Sequence, residues 1–326
     1  MALSKPVASL SLDLDNKWSY MKTHGDQGWE SFPSYLDVVV PRALSMLKAH
    51  GMTISFMIVG QDAALDKNRE ALAQIPAAGH EIGNHSFHHE QWFHMGPEAE
   101  IEAELARAEE HIERATGRRT VGFRGPGFVL SRPILDVLSR RGYLYDASTL
   151  PTYLGPLARA YYFMTSKLTP EEREKRKGLF GGLKDGLRPI DAYQWNLGDK
   201  RILEIPVTTM PGLKVPIHVS YALYVGVFSP ALARQYFRSA MALCRLTGTS
   251  PSILLHPLDF LGREDEPDLS FFPAMGLPRD RKLAIVDWCL GILAREFEVL
   301  SLEAHALRLS QATALPAQSP VFSIPA

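Results

Sequence analysis

Thr53–Val59, T-I-S-F-M-I-V, is short and almost wholly apolar. A run of that length with no polar face reads as a strand buried on both sides, and such strands belong to parallel sheets covered by helices. Its neighbours agree. Before it, Ser34 is placed to cap a helix running to His50, with Leu36, Val40, Leu44 and Leu47 on one face and Gly51 as its stop. After it, a helix over Asp66–Ala78 ends at Gly79, and a brief strand at Glu81–Gly83 follows.

The same alternation extends both ways. In Val7–Leu14, Leu10, Leu12 and Leu14 alternate with Ser9, Ser11 and Asp13, which is strand periodicity ending in acids. Downstream come an amphipathic helix from Pro97 to Thr116, a strand at Val121–Phe123, a helix capped by Ser131 and closed by Gly142, and a strand at Leu144–Asp146. Strands at Ile202–Val207, Ile253–Leu255 and Val299–Leu302 alternate with helices at Ser229–Leu246 and Arg279–Glu296. This is one α/β domain, 1–304, followed by a Pro-bearing tail, 305–326, that reads as poorly ordered. No G-x-G-x-x-G follows the first strand and no Walker sequence is present, so a barrel is favoured over an open nucleotide-binding sheet. From Leu150 to about Lys200 the alternation breaks. Between Lys167 and Arg188 that insertion carries seven basic and four acidic residues beside exposed-looking Leu179 and Phe180. It reads as a helical lid over the barrel mouth with a solvated charged face, a membrane-surface contact being the sharper alternative.

Composition narrows the function. With 46% hydrophobic and 22% charged residues and a net charge of -1, the 326-residue chain has no basic field of the kind nucleic-acid binding leaves. Cys244 and Cys289 form no C-x-x-C pattern, so neither a disulfide framework nor a thiolate metal site is indicated. The N-terminus lacks the apolar core of a signal peptide, and no apolar run approaches the ~18 residues of a membrane span. The sequence reads as cytoplasmic.

Five of the eleven histidines fall within His80–His94, H-E-I-G-N-H-S-F-H-H-E-Q-W-F-H. His85 and His89, four apart, are spaced to share one cation; His80, His88 and His94 read as structural or as supports behind the ligands. Asp13 and Asp15, His85 and His89, Arg124, Asp146 and His256 all lie at predicted carboxyl ends of strands, which share one face in a parallel barrel. Asp15, His85 and His89 would give a cation two nitrogens and one oxygen with positions left open, the pattern of catalytic sites. The metal is divalent, Zn2+ first, with Co2+, Ni2+ or Fe2+ as alternatives, and coordination lowers the pKa of a bound water toward ~7.

These residues resemble the polysaccharide deacetylase, or NodB-homology, family of metal-dependent amide hydrolases. S-L-D-L-D at 11–15, H-S-F-H-H at 85–89, G-F-R-G-P-G-F at 122–128, G-Y-L-Y-D-A-S-T-L-P at 142–151 and L-L-H-P-L-D at 254–259 follow the family's motif order. The resemblance implies a distorted (β/α)7-type barrel with the helical lid inserted. It implies Asp13 as catalytic base, Asp15, His85 and His89 as metal ligands, Arg124 holding the base, and His256 as general acid. The tryptophan-containing fourth motif is absent, which leaves the partner of His256 open: Asp146 is the candidate and Asp259 the reserve. The D-x-D form points to the branch of peptidoglycan and exopolysaccharide deacetylase-like proteins.

The substrate implied is an N-acetylated or N-formylated aminosugar, polymeric or lipid-linked, with Trp18, Trp29, Trp92 and Tyr153 as candidates to stack on sugar rings. An allantoinase-like cyclic-amide hydrolase is a second reading, expected to show a narrow mouth with a cation clamp. A non-catalytic sugar-binding relative would have lost the base or a ligand. Two histidines and a carboxylate also describe ferrous oxygenases, but those belong to other folds and need neither Asp13 nor His256.

Overall fold

Every residue of the first strand beyond Val7 is buried, the serines as fully as the leucines. The strand β1 (Val7–Leu14) is therefore covered on both faces, and its alternation separates a barrel interior from an outer helical layer. In a computed structural model that describes residues 5–322 apart from 177, 178, 180 and 312–314, β1 pairs in parallel with β2 (Ser55–Ile58) and β8 (Ser252–Leu255), and near its start with β9 (Glu298–Leu300). Beyond β2 the sheet continues through β3 (Glu81–Asn84), β4 (Gly122–Phe123), β5 (Tyr145–Asp146) and β7 (Arg201–Glu204), all parallel. The two ends meet where Thr208 N–H donates to Ser252 O at 2.9 Å and Ser252 N–H donates to Thr208 Oγ1 at 2.8 Å.

The outward leucines of β1, with Phe56 and Ile58, pack under helices such as Leu36–Ala49 and Arg279–Glu296. Inside the barrel, Met57, Tyr145, Leu203 and Ile205 form a separate cluster with Leu302 and Ala306. Glycines opposite the largest members make the room. A Cβ on Gly122 would lie 1.9 Å from Tyr145 Cζ, and one on Gly83 2.1 Å from Met57 Sδ.

Three features depart from the sequence reading. The boundary expected at Ala304 falls inside a helix, Leu302–Ser310, which packs under the barrel and is not a loose tail. Its first turn is satisfied by the barrel floor: Leu302 N–H donates to Ser55 Oγ at 2.6 Å and Glu303 N–H to Glu81 Oε2 at 2.8 Å. Beyond it, β10 (Ala317–Gln318) pairs with β6 (Tyr193–Asn196).

The insertion ends earlier than expected, because β6 runs antiparallel to β7 and belongs to the sheet. The short turn N-L-G-D-K between them is a hairpin signal that the lid reading absorbed. The lid proper consists of helices Gly155–Thr165 and Pro170–Lys175, tied to helix Lys17–His24: Lys167 N–H donates to His24 O at 2.8 Å and Tyr162 OH to Thr23 O at 2.7 Å. Leu179, read as exposed, is buried, and Phe180 lies outside the described residues.

The third feature is helix Val219–Phe228, apolar all round and so without a 3.6-residue period to betray it. Its buried side meets the core, while Val227 and Phe228 are exposed.

Because Gly122 gives Tyr145 its place, Gly122→Ala should lower stability by about 3 kcal/mol through overpacking. Urea unfolding checks this; an unchanged midpoint would show that the barrel interior accommodates the methyl group.

Candidate active site

Asp13 and Asp15 are two apart on an extended segment, so both side chains point to one face, here the carboxyl end of the barrel. The loop after β3 delivers the histidines through two non-glycine residues in the left-handed region, Ser86 (φ 62°) and His89 (φ 53°). That backbone is held by Ser86 N–H donating to Asn84 Oδ1 at 2.9 Å and His89 N–H to Ser86 Oγ at 3.2 Å. His85 Nδ1 lies 2.7 Å from Arg124 O; a carbonyl only accepts, so Nδ1 carries the proton and Nε2 is free to bind.

Asp15 Oδ1 sits 2.9 Å from His89 Nε2 and 3.3 Å from His85 Nε2. Yet Asp15 Oδ1 and His89 Nε2 are buried without a hydrogen-bond partner. The three groups thus converge without being aligned for hydrogen bonds among themselves. One oxygen and two imidazole nitrogens, all within 4.8 Å of one another, fit a divalent cation. Burial works against the Asp15 carboxylate, but the charge of His89 and contacts with both imidazoles outweigh it and hold the carboxyl well below its ordinary range.

Asp13 Oδ1 accepts from Arg124 Nη1 at 3.0 Å, and Arg124 Nε donates to Ala147 O at 2.9 Å. Arg124 has no exposure at all. At the end of β8, His256 Nδ1 lies 3.1 Å from Ser220 Oγ, which donates to Asp259 Oδ1 at 2.8 Å, while His256 N–H donates to Asp259 Oδ2 at 2.9 Å. Burial raises the Asp259 carboxyl, partly offset by His256. His218 stands beside His256, ring centres 5.7 Å apart, and burial, then the charges of His256 and Arg124, hold it well below its ordinary value as a neutral imidazole.

Asp13, Asp15, His85, His89 and His256 all line one cavity of about 950 Å³. Lid residues Leu154, Leu157, Tyr161 and Tyr162 line it too.

The polysaccharide deacetylase family profile matches residues 26–145. Over those 120 of its 326 residues the chain is similar to polysaccharide deacetylases. Within the match lie His85, His89 and Arg124; Asp13, Asp15 and His256 lie outside it. The chain is 27% identical over 165 residues to a peptidoglycan deacetylase of Helicobacter pylori, covering 50% of this chain and 55% of that one. It is 30% identical over 110 residues to a peptidoglycan-N-acetylmuramic acid deacetylase of Bacillus subtilis, covering 33% and 41%. The aligned stretch thus spans about half the length of these relatives or less. A crystal structure of a candidate polysaccharide deacetylase from Mycobacterium smegmatis superposes with a TM-score of 0.60 at 18% identity, over 99% of this chain and 100% of the other. At that identity the likeness speaks to the fold.

Two expectations about the site are corrected. Asp146 does not meet His256: its Oδ1 accepts from Ser148 Oγ at 2.5 Å, and burial and the neighbouring Glu204 raise its carboxyl. Asp259 takes the place expected of Asp146, through Ser220.

None of the four aromatic candidates lines the cavity. Trp18 is buried, its Nε1–H donating to Asp62 Oδ1 at 3.0 Å. Trp29 lies under the Lys22 ammonium at 4.8 Å and Trp92 against the Arg176 guanidinium at 5.2 Å, so these rings brace the lid and its anchor. Tyr153 covers Gly186, whose added Cβ would lie 2.3 Å from its ring.

His94, read as structural or as a support behind the ligands, lines the cavity, whereas His80 accepts from Ile54 N–H and His88 pairs with Glu104. Ser220 and His218 were missed because their helix has no amphipathic period. Lys282, also missed, lines the cavity with its Nζ donating to Leu258 O at 2.6 Å; burial pulls it down to about 8 against the opposing pull of Asp259.

Members of the family are in general metal-dependent, and the donor set here is complete. Titration calorimetry should show one Zn2+ bound per chain and a raised melting temperature, with His89→Ala weakening affinity by roughly 100-fold or more. Equal binding by wild type and His89→Ala would remove His89 from the ligand set.

Proposed function

We propose that the protein is a metal-dependent hydrolase that removes an N-acyl group, acetyl or formyl, from an aminosugar. The observation that carries this reading is the convergence on one cavity of three features. These are a buried Asp–His–His donor set in which Asp15 Oδ1 and His89 Nε2 have no hydrogen-bond partner, a carboxylate fixed by a buried arginine, and a histidine backed by a serine–aspartate pair. The family match and the peptidoglycan deacetylase relatives support the same reaction class.

A divalent cation held by Asp15, His85 and His89 supplies a Lewis acid for the amide carbonyl and lowers the pKa of water. The side chains around it divide the proton transfers. Asp13, oriented by Arg124 Nη1, takes the proton of the attacking water. In the acid form of His256, protonated at both ring nitrogens, Nδ1–H donates to Ser220 Oγ and the Nε2 proton passes to the departing nitrogen. Ser220 passes the polarisation to Asp259. The C–N bond breaks, a C–O bond forms, and the products are a carboxylic acid and a free amine.

A cyclic-amide hydrolase with a narrow, cation-clamped mouth is disfavoured by a cavity of this size with largely apolar walls. Base and ligands are all present, against the expectation for a non-catalytic relative.

Release of acetate or formate from N-acetylated and N-formylated aminosugars is the direct test, with loss on chelation. Asp13→Asn should reduce kcat roughly 10³-fold while Zn2+ binding persists. Full activity in that variant would overturn the assignment of the base. Ser220→Ala should lower kcat about tenfold, with KM little changed, and displace the alkaline limb of the pH–rate profile. A Ser220→Ala profile superimposable on wild type would show that the serine only fills space.

A further inference from the structure

The cavity wall away from the donor set is aliphatic and aromatic, and it does not stop at the cavity. Leu157, Tyr161 and Met164 lie on one face of the lid helix at i, i+4 and i+7. Leu157 is 68% and Met164 83% exposed. Helix Val219–Phe228 contributes Val227 and Phe228 to the same cavity, with Phe228 84% exposed. Two helices therefore bring apolar side chains to one entrance and leave them facing water, an arrangement that marks a contact surface.

The chemistry of these side chains selects among occupants. A soluble glycan offers hydroxyls and ring faces suited to flat aromatic platforms; the lining holds tyrosines such as Tyr161 and Tyr221, but the side chains most exposed at the entrance, Leu157, Met164 and Phe228, are purely apolar. Leucine, methionine and valine match hydrocarbon. A substrate confined to the cavity would also leave Met164 uncovered, since it lies outside the lining.

Cationic side chains border the patch. Lys167 follows Met164 by three residues and is 68% exposed, its Nζ paired with Asp26 at 2.8 Å, and the Arg173 guanidinium lies 5.7 Å from the Phe163 ring. Arg281 Nη2 donates to Gly226 O at 2.8 Å, beside Val227. Apolar side chains bordered by lysine and arginine suit an anionic lipid surface. Among the described residues no helix is long and apolar enough to cross a membrane, so the contact is interfacial.

We propose that the entrance between the lid helix and helix Val219–Phe228 rests on an anionic phospholipid surface and admits a membrane-borne substrate. Its N-acyl amino headgroup reaches Asp15, His85 and His89 while its hydrocarbon chain lies along Leu157, Tyr161, Val227 and Phe228. The identity of the headgroup rests on the hydrolase reading; the membrane seat does not.

The full chain is incubated with vesicles of phosphatidylcholine alone or mixed with phosphatidylglycerol, and binding is read by flotation. Wild type should float with the mixed vesicles. Met164→Asp combined with Phe228→Asp should bind roughly tenfold or more weakly, at unchanged melting temperature and Zn2+ stoichiometry. Wild type remaining unbound, or the double variant floating equally well, would overturn the proposal. So would a patch buried in a dimer, seen as a dimeric wild type that does not float and a monomeric variant. In the second arm, kcat/KM is compared for an N-acetylglucosaminyl lipid dispersed in detergent and the methyl glycoside of the same sugar. Higher kcat/KM for the lipid supports the chain-binding wall, and equal values overturn it. Flotation without acid release from any aminosugar would count against the hydrolase reading while upholding the membrane seat.

Discussion

A guanidinium with no contact to water stays charged in a folded protein only if other groups replace its lost hydration, a loss worth several kcal/mol. Arg124 is such a group. It donates to Asp13 through Nη1 and to Ala147 O through Nε, and its own carbonyl accepts from His85 Nδ1. The Asp13 carboxylate, the His85 tautomer and the end of β5 are thus positioned by one residue at the end of β4. The arrangement also makes Asp13 and Arg124 interdependent, since removing either leaves the other as a buried, uncompensated charge. Asparagine at Asp13 removes the charge as alanine does but keeps an oxygen for Arg124 Nη1 to bond, so it disturbs the arginine less.

Much of this was legible from the sequence because the barrel writes its strands as short apolar runs and its helices as capped amphipathic ones. Thr53–Val59 and Val7–Leu14 were read as strands, and Asp15, His85 and His89 were grouped from spacing and order alone. The omissions share a cause. Helix Val219–Phe228 is apolar all round, so neither it nor Ser220 and His218 gave a periodic signal. The helix Leu302–Ser310 was taken for a tail because its evidence lies in contacts with Ser55 and Glu81, more than 200 residues away in sequence. The tryptophans misled for the opposite reason: composition marks them as sugar platforms, whereas tertiary structure gives them to Asp62, Lys22 and Arg176.

The histidine at the end of β8 shows how a familiar motif is rebuilt from other parts. Without a tryptophan-containing fourth motif, the acidic partner comes from three residues after the histidine, and a serine on a neighbouring helix bridges the two. Asp259 also accepts the His256 N–H, so the carboxylate that reaches the side chain through Ser220 fixes the backbone carrying it.

The helix Leu302–Ser310 has a consequence for how the molecule assembles. The interior cluster of Met57, Tyr145, Leu203 and Ile205 is completed from below by Leu302 and Ala306, and Glu81 and Ser55 acquire their last partners from that helix. During synthesis from the N-terminus, β1 to β8 emerge before the segment that seals their floor. Until it docks, the nascent barrel holds a buried carboxylate short of a donor and an apolar interior open at one end. Contacts of such sequence separation slow folding and prolong the aggregation-prone interval. Docking of this helix is therefore the vulnerable step, at the face of the barrel remote from the cavity.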